Sequence, residues 1–396
     1  MSKRLKLRIF RLSYLLMVVF NIPLIIAQTV VNRDVATLAY NDNDKYRFNE
    51  GLCAIQRDQS WGFIDTTGNV VIDFRYRMNG NEIPVFHEGK CCVCIQTESD
   101  YLKRIYIDRV GNALFQNQSF SGITPFSNGL AIVEKTEALK PPYLILIDSL
   151  GKSIAGAITP GYSPGMKLEF RGFHDGLAAI CDSKTKSWGF INTKGKWAIQ
   201  PEASYKTVAD FHEGMAFVQD ASESKWGAIN LKGELVIPFM YMNRPADFSE
   251  GLSAVKDADG RVGYIDKTGS LVIPFLYEPI INQTGLPFFE GNAIVCRDGA
   301  YYSIGTTGKE NLKIGDASSD LWMLQNGLVA YKRWMKSEIW GIGLIRTNGE
   351  LILAPSVINQ LSEFGNGLAH AHAKINGINY NGFINLDANF VILNEN

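Results

Sequence analysis

Six cysteines are among the side chains of this 396-residue chain best suited to do chemistry. They could pair as disulfides in an oxidising compartment, or, in the run Cys91-Cys92-x-Cys94, bind a metal ion. On an extended strand, however, the thiols of Cys91 and Cys92 point to opposite faces. We therefore predict small buried strand residues, with a bridge between Cys53 and Cys91 as the alternative.

Histidines are the second set of candidate ligands. His87, His174 and His212 each precede an acid and a glycine, which places them in separate turns, expected to lie about 10 Å or more apart. We interpret them as solvated turn residues. His370 and His372 would share one face of a strand, where they favour a polar cap on the end of the chain.

Sequence motifs of catalysis are absent. The chain contains no Ser/His/Asp order, nucleophile elbow, phosphate-binding glycine loop or H-E-x-x-H run. A pair of carboxylates distant in sequence remains open as a hydrolytic site. We predict a protein that is not an enzyme, with no catalytic, cofactor-binding or metal-binding residues and no cofactor.

Most of the cysteines and histidines discussed above occupy positions of a sequence repeat. The pattern F-x-[ED]-G-L-A-x-V is followed by W-G-[FY]-I-[DN]-x-x-G-x-[LV]-V-I-x-P, with a period close to 40 residues. Nine copies are marked by one glycine each: Gly51, Gly89, Gly129, Gly176, Gly214, Gly251, Gly291, Gly327 and Gly367. Repetition on this scale predicts a single array over residues 46–393.

Each part of the repeat predicts a local structure. F-x-[ED]-G is a turn that leads into a strand, and the Asp or Asn after W-G-[FY]-I, with Gly three residues later, forms a tight hairpin loop. The returning strand, such as Leu235-Val236-Ile237, is apolar at consecutive positions, which favours burial of both faces. Pro201, Pro238, Pro274 and Pro355 are expected to end these strands.

The predicted fold is therefore all-β. About nine antiparallel meander units of three to four strands stack in tandem, as a propeller-like ring or an open curved superhelix. The pattern leaves the choice between the two open.

The motifs Trp61-Gly62-Phe63-Ile64-Asp65, Trp188-Gly189-Phe190-Ile191-Asn192 and Trp226-Gly227-Ala228-Ile229-Asn230 resemble the bacterial WG-repeat (KWG-type) family. The resemblance covers roughly residues 46 to 393 and implies a repeat type without shared catalytic residues. The hairpins also loosely resemble choline-binding cell-wall repeats.

Tryptophans fall into two groups. Trp61, Trp188, Trp226 and Trp340, with the glycines Gly62, Gly189, Gly227 and Gly341, recur at one strand position, which favours a structural role in the core. Trp322 and Trp334 lie outside the repeated columns and are candidate ligand-binding aromatics, as are Tyr101, Tyr301 and Tyr331.

The N-terminus predicts export. Five basic residues, Lys3, Arg4, Lys6, Arg8 and Arg11, precede an apolar run from Leu12 to Ala27, which is typical of a signal peptide cleaved after Ala27. The run is short for a membrane helix of roughly 20 residues, but an uncleaved anchor is the alternative. Residues 28–45 form a leader segment or a strand that completes the first unit.

The net charge and the predicted export limit the classes of partner that the protein could bind. Residues 1–27 hold those five basic residues and no acidic ones, so the formal charge of −1 becomes about −6 in the mature chain. Nucleic-acid binding needs clustered basic residues, which the chain lacks. We predict a secreted or periplasmic protein, without a membrane span in its mature form. It would act as a protein-interaction scaffold at the cell envelope or, alternatively, as a glycan or cell-wall binding module.

Overall fold

The structure is a computed structural model. It describes residues 46–78, 82–97, 102–116, 120–122, 124–135, 143–155, 172–181, 187–202, 205–280, 284–316, 321–324, 327–334, 340–355, 358–362, 364–375, 378–385 and 390–395. The predicted signal peptide, its cleavage point and the leader segment lie outside these residues.

The described residues form strands in nine antiparallel sheets, one for each copy of the repeat. We number these sheets as units 1 to 9. Units 1 to 3 contain β1 (Leu52–Arg57), β2 (Ser60–Asp65) and β3 (Val70–Tyr76); β4 (Lys90–Gln96), β5 (Leu102–Asp108) and β6 (Ala113–Leu114); and β7 (Phe120–Gly122), β8 (Leu130–Lys135), β9 (Tyr143–Asp148) and β10 (Ser153–Ala155).

Units 4 to 6 contain β11 (Leu177–Cys181), β12 (Trp188–Asn192) and β13 (Trp197–Glu202); β14 (Tyr205–Val208), β15 (Met215–Asp220), β16 (Trp226–Asn230) and β17 (Leu235–Tyr241); and β18 (Leu252–Lys256), β19 (Val262–Asp266) and β20 (Leu271–Tyr277). Units 7 to 9 contain β21 (Asn292–Arg297), β22 (Ala300–Gly305) and β23 (Glu310–Asp316); β24 (Leu321–Met323), β25 (Leu328–Trp334), β26 (Trp340–Arg346) and β27 (Leu351–Leu353); and β28 (Ile358–Leu361), β29 (Leu368–Ile375), β30 (Ile378–Asn385) and β31 (Phe390–Glu395). The predicted meanders of three to four strands are confirmed.

Two turns recur along the described part of the array. The first turn is the [ED]-G pair before the L-A-x-V strand; in unit 1 it is a two-residue hairpin in which Asn49 and Leu52 exchange backbone hydrogen bonds of 2.9 and 3.1 Å. Its two central residues, Glu50 and Gly51, have φ of 51° and 77°. Positive φ at both positions defines a type I′ turn, which is why glycine recurs there.

The second turn follows W-G-[FY]-I. In unit 1 the Asp65 carboxylate accepts hydrogen bonds of 2.9 Å from the backbone N–H groups of Thr67 and Asn69, while Gly68 takes a φ of 88°. The Asp or Asn opens the loop and the Gly closes it, as the sequence predicts. Both turns lie on one face of the array, because Lys267 in the second turn of unit 6 reaches the first-turn residue Glu213 of unit 5 at 3.1 Å. We call this the turn face.

The core lies between neighbouring units. Between units 5 and 6, Phe217 and Trp226 from one sheet pack with Phe248, Val255 and Ile265 from the next. The residue two positions after the first-turn glycine is small and fully buried, as in Cys53, Ala131 and Ala216. Small side chains there let successive sheets approach closely.

The outer strands depart from the prediction. In β17, Leu235 and Val236 are 48% and 37% exposed, and only Ile237 and Tyr241 are buried. The expected burial of both faces was wrong, because the last strand of a unit lies at the sheet edge, where neighbouring units cover it incompletely. Val70 and Val71 in β3 and Leu271 and Val272 in β20 are exposed in the same way.

Three of the four prolines do not end these strands, whereas Pro355 follows the end of β27 as expected. Pro201, Pro238 and Pro274 lie inside β13, β17 and β20, so that part of the prediction was also wrong. An edge strand needs no ladder hydrogen bond on its outward side, and proline is tolerated there. It also hinders pairing with a foreign strand.

The ninth unit meets the first. Gly51 donates its backbone N–H to Asn366 Oδ1 at 2.9 Å, and the Ser362 hydroxyl donates to the Tyr46 carbonyl at 3.2 Å. The rings of Phe48 and Phe383 pack edge to face with centroids 4.9 Å apart. These contacts join the two ends of the array, which corresponds to the propeller-like form of the two that the sequence leaves open.

Candidate functional site

The tryptophans of the W-G motif lie inside the array. Trp61, Trp188 and Trp226 are 4–8% exposed. The side chain of Trp340 lies outside the described residues, whereas Gly341 is buried. Binding to a ligand at the described tryptophans would require the units to separate.

The glycine of this motif lies at a β-bulge. In unit 5 the register shifts between Trp226↔Tyr241 and Ala228↔Ile237, and a Cβ atom on Gly227 would lie 2.6 Å from the Ile237 carbonyl oxygen. Gly62 and Gly189 have the same relationship to the next strand, at 2.7 Å. Glycine is required because the bulge brings backbone against backbone.

First-turn acids of units 1, 2, 4, 5 and 6 link their unit to the next one, and the sequence did not reveal this. Glu213 accepts hydrogen bonds from the backbone N–H groups of Glu250 and Gly251 at 2.7 and 2.9 Å, and Glu250 accepts from Gly291 at 2.8 Å. Asp175 accepts from Gly214 at 2.7 Å. We call this series the carboxylate ladder.

Glutamate is an unusual residue for these turns. Its φ is 53° at Glu213 and 52° at Glu250, a left-handed conformation in which Asn and Asp are enriched. A longer side chain reaches the amides of the neighbouring unit. Glu at a turn position that favours Asn or Asp is the feature of the sequence that could have indicated the ladder.

The electrostatics of the ladder favour the ionised acid. Partial burial alone would raise the pKa of Glu213, but hydrogen bonds from the Gly251 amide and from Lys267 outweigh it and hold the pKa below its ordinary value. A charged carboxylate makes stronger hydrogen bonds to amides than a neutral acceptor does. The carboxylate of Glu213 is therefore bonded to groups of the array itself.

The predicted separation of the turn histidines was wrong for units 4 and 5. The ring centroids of His174 and His212 lie 5.4 Å apart. The first turns of neighbouring units converge, so the distance between them is shorter than the spacing expected for stacked sheets. Each imidazole also approaches a carboxylate of the following unit, His174 Nε2 at 4.0 Å from Asp210 and His212 Nε2 at 3.7 Å from Asp247.

His370 does not form a polar outer cap as expected. Its side chain is 2% exposed, and its ring packs on Tyr46 and Phe383 with centroids 5.3 Å away in both cases. Its Nε2 is hydrogen-bonded to Asn381 Oδ1. Because Tyr46 belongs to unit 1, the histidine is buried where the ends of the array meet. Burial lowers the pKa of His370 to about 4.

All six cysteines are free thiols. Cys53, Cys91, Cys94 and Cys296 are buried, and burial raises the pKa of Cys296 to about 12. Within the described part of the chain, no group of three or more His, Cys, Asp or Glu side chains is arranged to hold a metal ion.

The candidate ligand-binding aromatics do not form a shared platform in the described residues. Trp322 is half-buried against the core of units 8 and 9. The backbone of Trp334 pairs with that of Trp340 in β25 and β26, and its side chain lies outside the described residues. Of the tyrosines, Tyr301 is 8% exposed, Tyr331 is half-buried, and Tyr101 lies outside the described residues.

A groove on the turn face was missed by the sequence analysis. It has a volume of about 560 Å³ and is formed by the loops that precede and contain the first turns of units 5 to 7. Its polar side chains include His212, Arg244, Asp247, Ser249 and Thr284. The segment Asn243-Arg244-Pro245 could have indicated the groove from the sequence. It follows the outer strand of unit 5 and does not match the repeat pattern.

Comparison with known families identifies the repeat. A family model described as "WG containing repeat" matches residues 61–95, 106–137, 188–220, 226–260 and 263–301. This chain is a WG-repeat protein. The five matched segments lie in units 1 to 7.

No curated protein matches this WG-repeat chain. Among solved structures it is similar to the computationally designed Ika8 protein, at 13% identity and a TM-score of 0.40, over 71% of this chain and 88% of that one. It is also similar to BamB from Moraxella catarrhalis, at 12% identity and a TM-score of 0.38, over 74% and 94% of the two chains. These likenesses are too distant to carry an argument about function. No helix long and apolar enough to cross a membrane occurs in the described residues.

Proposed function

We propose that this WG-repeat protein is an exported, non-catalytic scaffold that holds another protein at the cell envelope. The observation that carries the proposal is the exposure of aliphatic side chains on the outer strands, notably Leu235 at 48% and Leu271 at 48%. A contiguous patch of exposed apolar side chains is typical of a surface that a partner covers. Units 5 and 6, which carry them, are neighbours.

The bonding of the repeated polar residues also supports a non-catalytic scaffold. First-turn acids bind the amides of the next unit, and second-turn Asp and Asn residues bind their own loops. Their carboxylates serve the array itself. The exposed apolar side chains of the outer strands therefore remain available to a partner.

Export is part of the proposal. The basic and apolar N-terminal segment supports cleavage after Ala27. Sequencing the N-terminus of the protein recovered from the cell envelope tests it: a chain that begins at Gln28 supports cleavage, and a chain that keeps residues 12–27 supports the anchor.

Capture of envelope proteins tests the scaffold. The chain is immobilised beside a variant with Leu235→Lys and Leu271→Lys, and beside a control with Leu150→Lys, whose side chain is 82% exposed at the tip of a second turn. We expect a partner that is retained by the parent and the control and lost from the outer-strand variant. Retention on peptidoglycan or polysaccharide with release by free sugar, without a protein partner, would contradict the scaffold.

A further inference from the structure

The groove between units 5 and 7 lies beside unit 6, whose three-stranded sheet has no inner strand. In unit 5 the inner strand β14 pairs with β15, but in unit 6 the described residues 242–248 form no strand. Two hydrogen bonds join this segment to β18: the Ala246 N–H donates to the Ala254 carbonyl at 3.0 Å, and the Ala246 carbonyl accepts from the Ser253 hydroxyl at 2.6 Å. The volume of about 560 Å³ falls within the roughly 300–1,000 Å³ of sites for small molecules.

Polar groups in the groove are held in place by the fold. Arg244 donates to Asp247 at 2.6 Å, and the Arg244 carbonyl accepts a hydrogen bond of 2.8 Å from the Thr284 hydroxyl in unit 7. The Ser249 hydroxyl donates to the Phe288 carbonyl at 2.7 Å. A pre-formed site of this kind loses little entropy when a ligand binds.

Donors and acceptors remain accessible in the groove. The side chains of Arg244, Asp247 and His212 are 42%, 35% and 38% exposed. A guanidinium offers five N–H donors and a carboxylate offers two acceptor oxygens, so the contact between Arg244 and Asp247 Oδ1 leaves most of the donors and one oxygen. His212 adds a ring nitrogen 3.7 Å from the Asp247 carboxylate.

The charge of the groove is balanced, because Arg244 is paired with Asp247. An anionic ligand would compete with Asp247 for the guanidinium, and a cationic ligand would compete with Arg244 for the carboxylate. The remaining wall is apolar and includes Pro245 and Pro287. A neutral ligand with an apolar face and hydroxyl groups at its edge matches both kinds of lining.

We infer that the groove binds a neutral sugar ring. The C–H face of the ring packs against Pro287, which is partly exposed, and its hydroxyl groups bond to Arg244, Asp247 and His212. The site is independent of the scaffold proposed above, since it lies on the turn face and the partner surface lies on the outer strands. Either can fail without the other.

Titration with neutral saccharides tests the inference. Glucose, galactose, N-acetylglucosamine, cellobiose and chitobiose are added to the full chain, and binding is measured by calorimetry and saturation-transfer NMR. We expect one or more to bind, with a Kd raised about tenfold or more by Arg244→Gln and by Asp247→Asn, since hydrogen bonds to charged groups are lost. The pair Arg104 and Glu82, also 2.6 Å apart, provides the control variants Arg104→Gln and Glu82→Gln.

A second matched pair separates folding from binding. Ser249 and Ser127 occupy the same position in units 6 and 3, and each donates to a phenylalanine carbonyl of the next unit. Ser249→Ala should weaken sugar binding while Ser127→Ala leaves it unchanged, at comparable cost in thermal stability. The inference is overturned by failure of every saccharide to bind, by binding that all groove variants retain, or by preference for inorganic sulfate or spermidine.

Discussion

Gly51 and Asn366, 315 residues apart in the chain, are joined by a hydrogen bond of 2.9 Å from the Gly51 amide to the Asn366 side chain. The same relationship links Gly251 to Glu213 and Gly291 to Glu250 between consecutive units. The contact between the ends thus repeats the contact used within the array. A structure closed in this way leaves no unit with an open face, which a linear array must cap.

The carboxylate ladder should stabilise the contacts between units. Glu213→Ala removes the acceptor of two amide hydrogen bonds, and we expect a loss of about 1–3 kcal/mol in the free energy of unfolding, measured by denaturant titration. Asp298→Ala is the matched control, because Asp298 also has a left-handed φ of 49° and precedes a glycine, but its side chain is 88% exposed. Equal losses in the two variants would mean that the turn conformation matters and the ladder does not.

Acid should weaken the contact between the ends. Burial lowers the pKa of His370 to about 4, below its ordinary value of 6.5, so the unfolded chain binds more protons between these two pH values. Stability is therefore full above about pH 6.5 and is lost as the pH falls towards 4, by about 3 kcal/mol. Thermal unfolding between pH 7.5 and 4 measures this.

The matched variant for this titration is His370→Gln, which should flatten the pH dependence. A parent and a His370→Gln variant with the same pH profile would show that another group titrates.

The glycine of the W-G motif should tolerate no side chain. Gly227→Ala places a Cβ atom 2.6 Å from the Ile237 carbonyl oxygen, and we expect destabilisation of about 2–4 kcal/mol because backbone must shift. Gly305→Ala is the control, since its nearest neighbour would be 3.7 Å away. Chemical denaturation of both variants measures the difference. Similar stabilities would remove the steric explanation of the motif.

The local features of the fold could be predicted because short-range rules govern them. Asp65 and Gly68 specify a hairpin loop without help from the rest of the chain. Burial of Leu235 was mispredicted because an apolar run looks the same at a sheet edge as at its centre.

The distances and contacts between units could not be predicted from the sequence. The spacing of His174 and His212 depends on how units converge, and the junction of Gly51 with Asn366 depends on the sum of nine rotations between units. The groove at Arg244 likewise depends on an inner strand that unit 6 does not form. Such features accumulate over the whole array, so no single motif encodes them.

The two ends of the array meet, and a disulfide between them tests this closure most directly. Arg47 and Ala369 are β-bridge partners across the junction, so cysteines at these positions would have Cβ atoms about 4.5–5.5 Å apart, close to bonding distance. Under mild oxidation, mass spectrometry of the Arg47→Cys, Ala369→Cys variant should find the two positions bonded within one monomer. The control pair, Arg47→Cys with Gln219→Cys in unit 5, should remain reduced. An unbonded Arg47→Cys, Ala369→Cys variant that is otherwise folded would contradict closure.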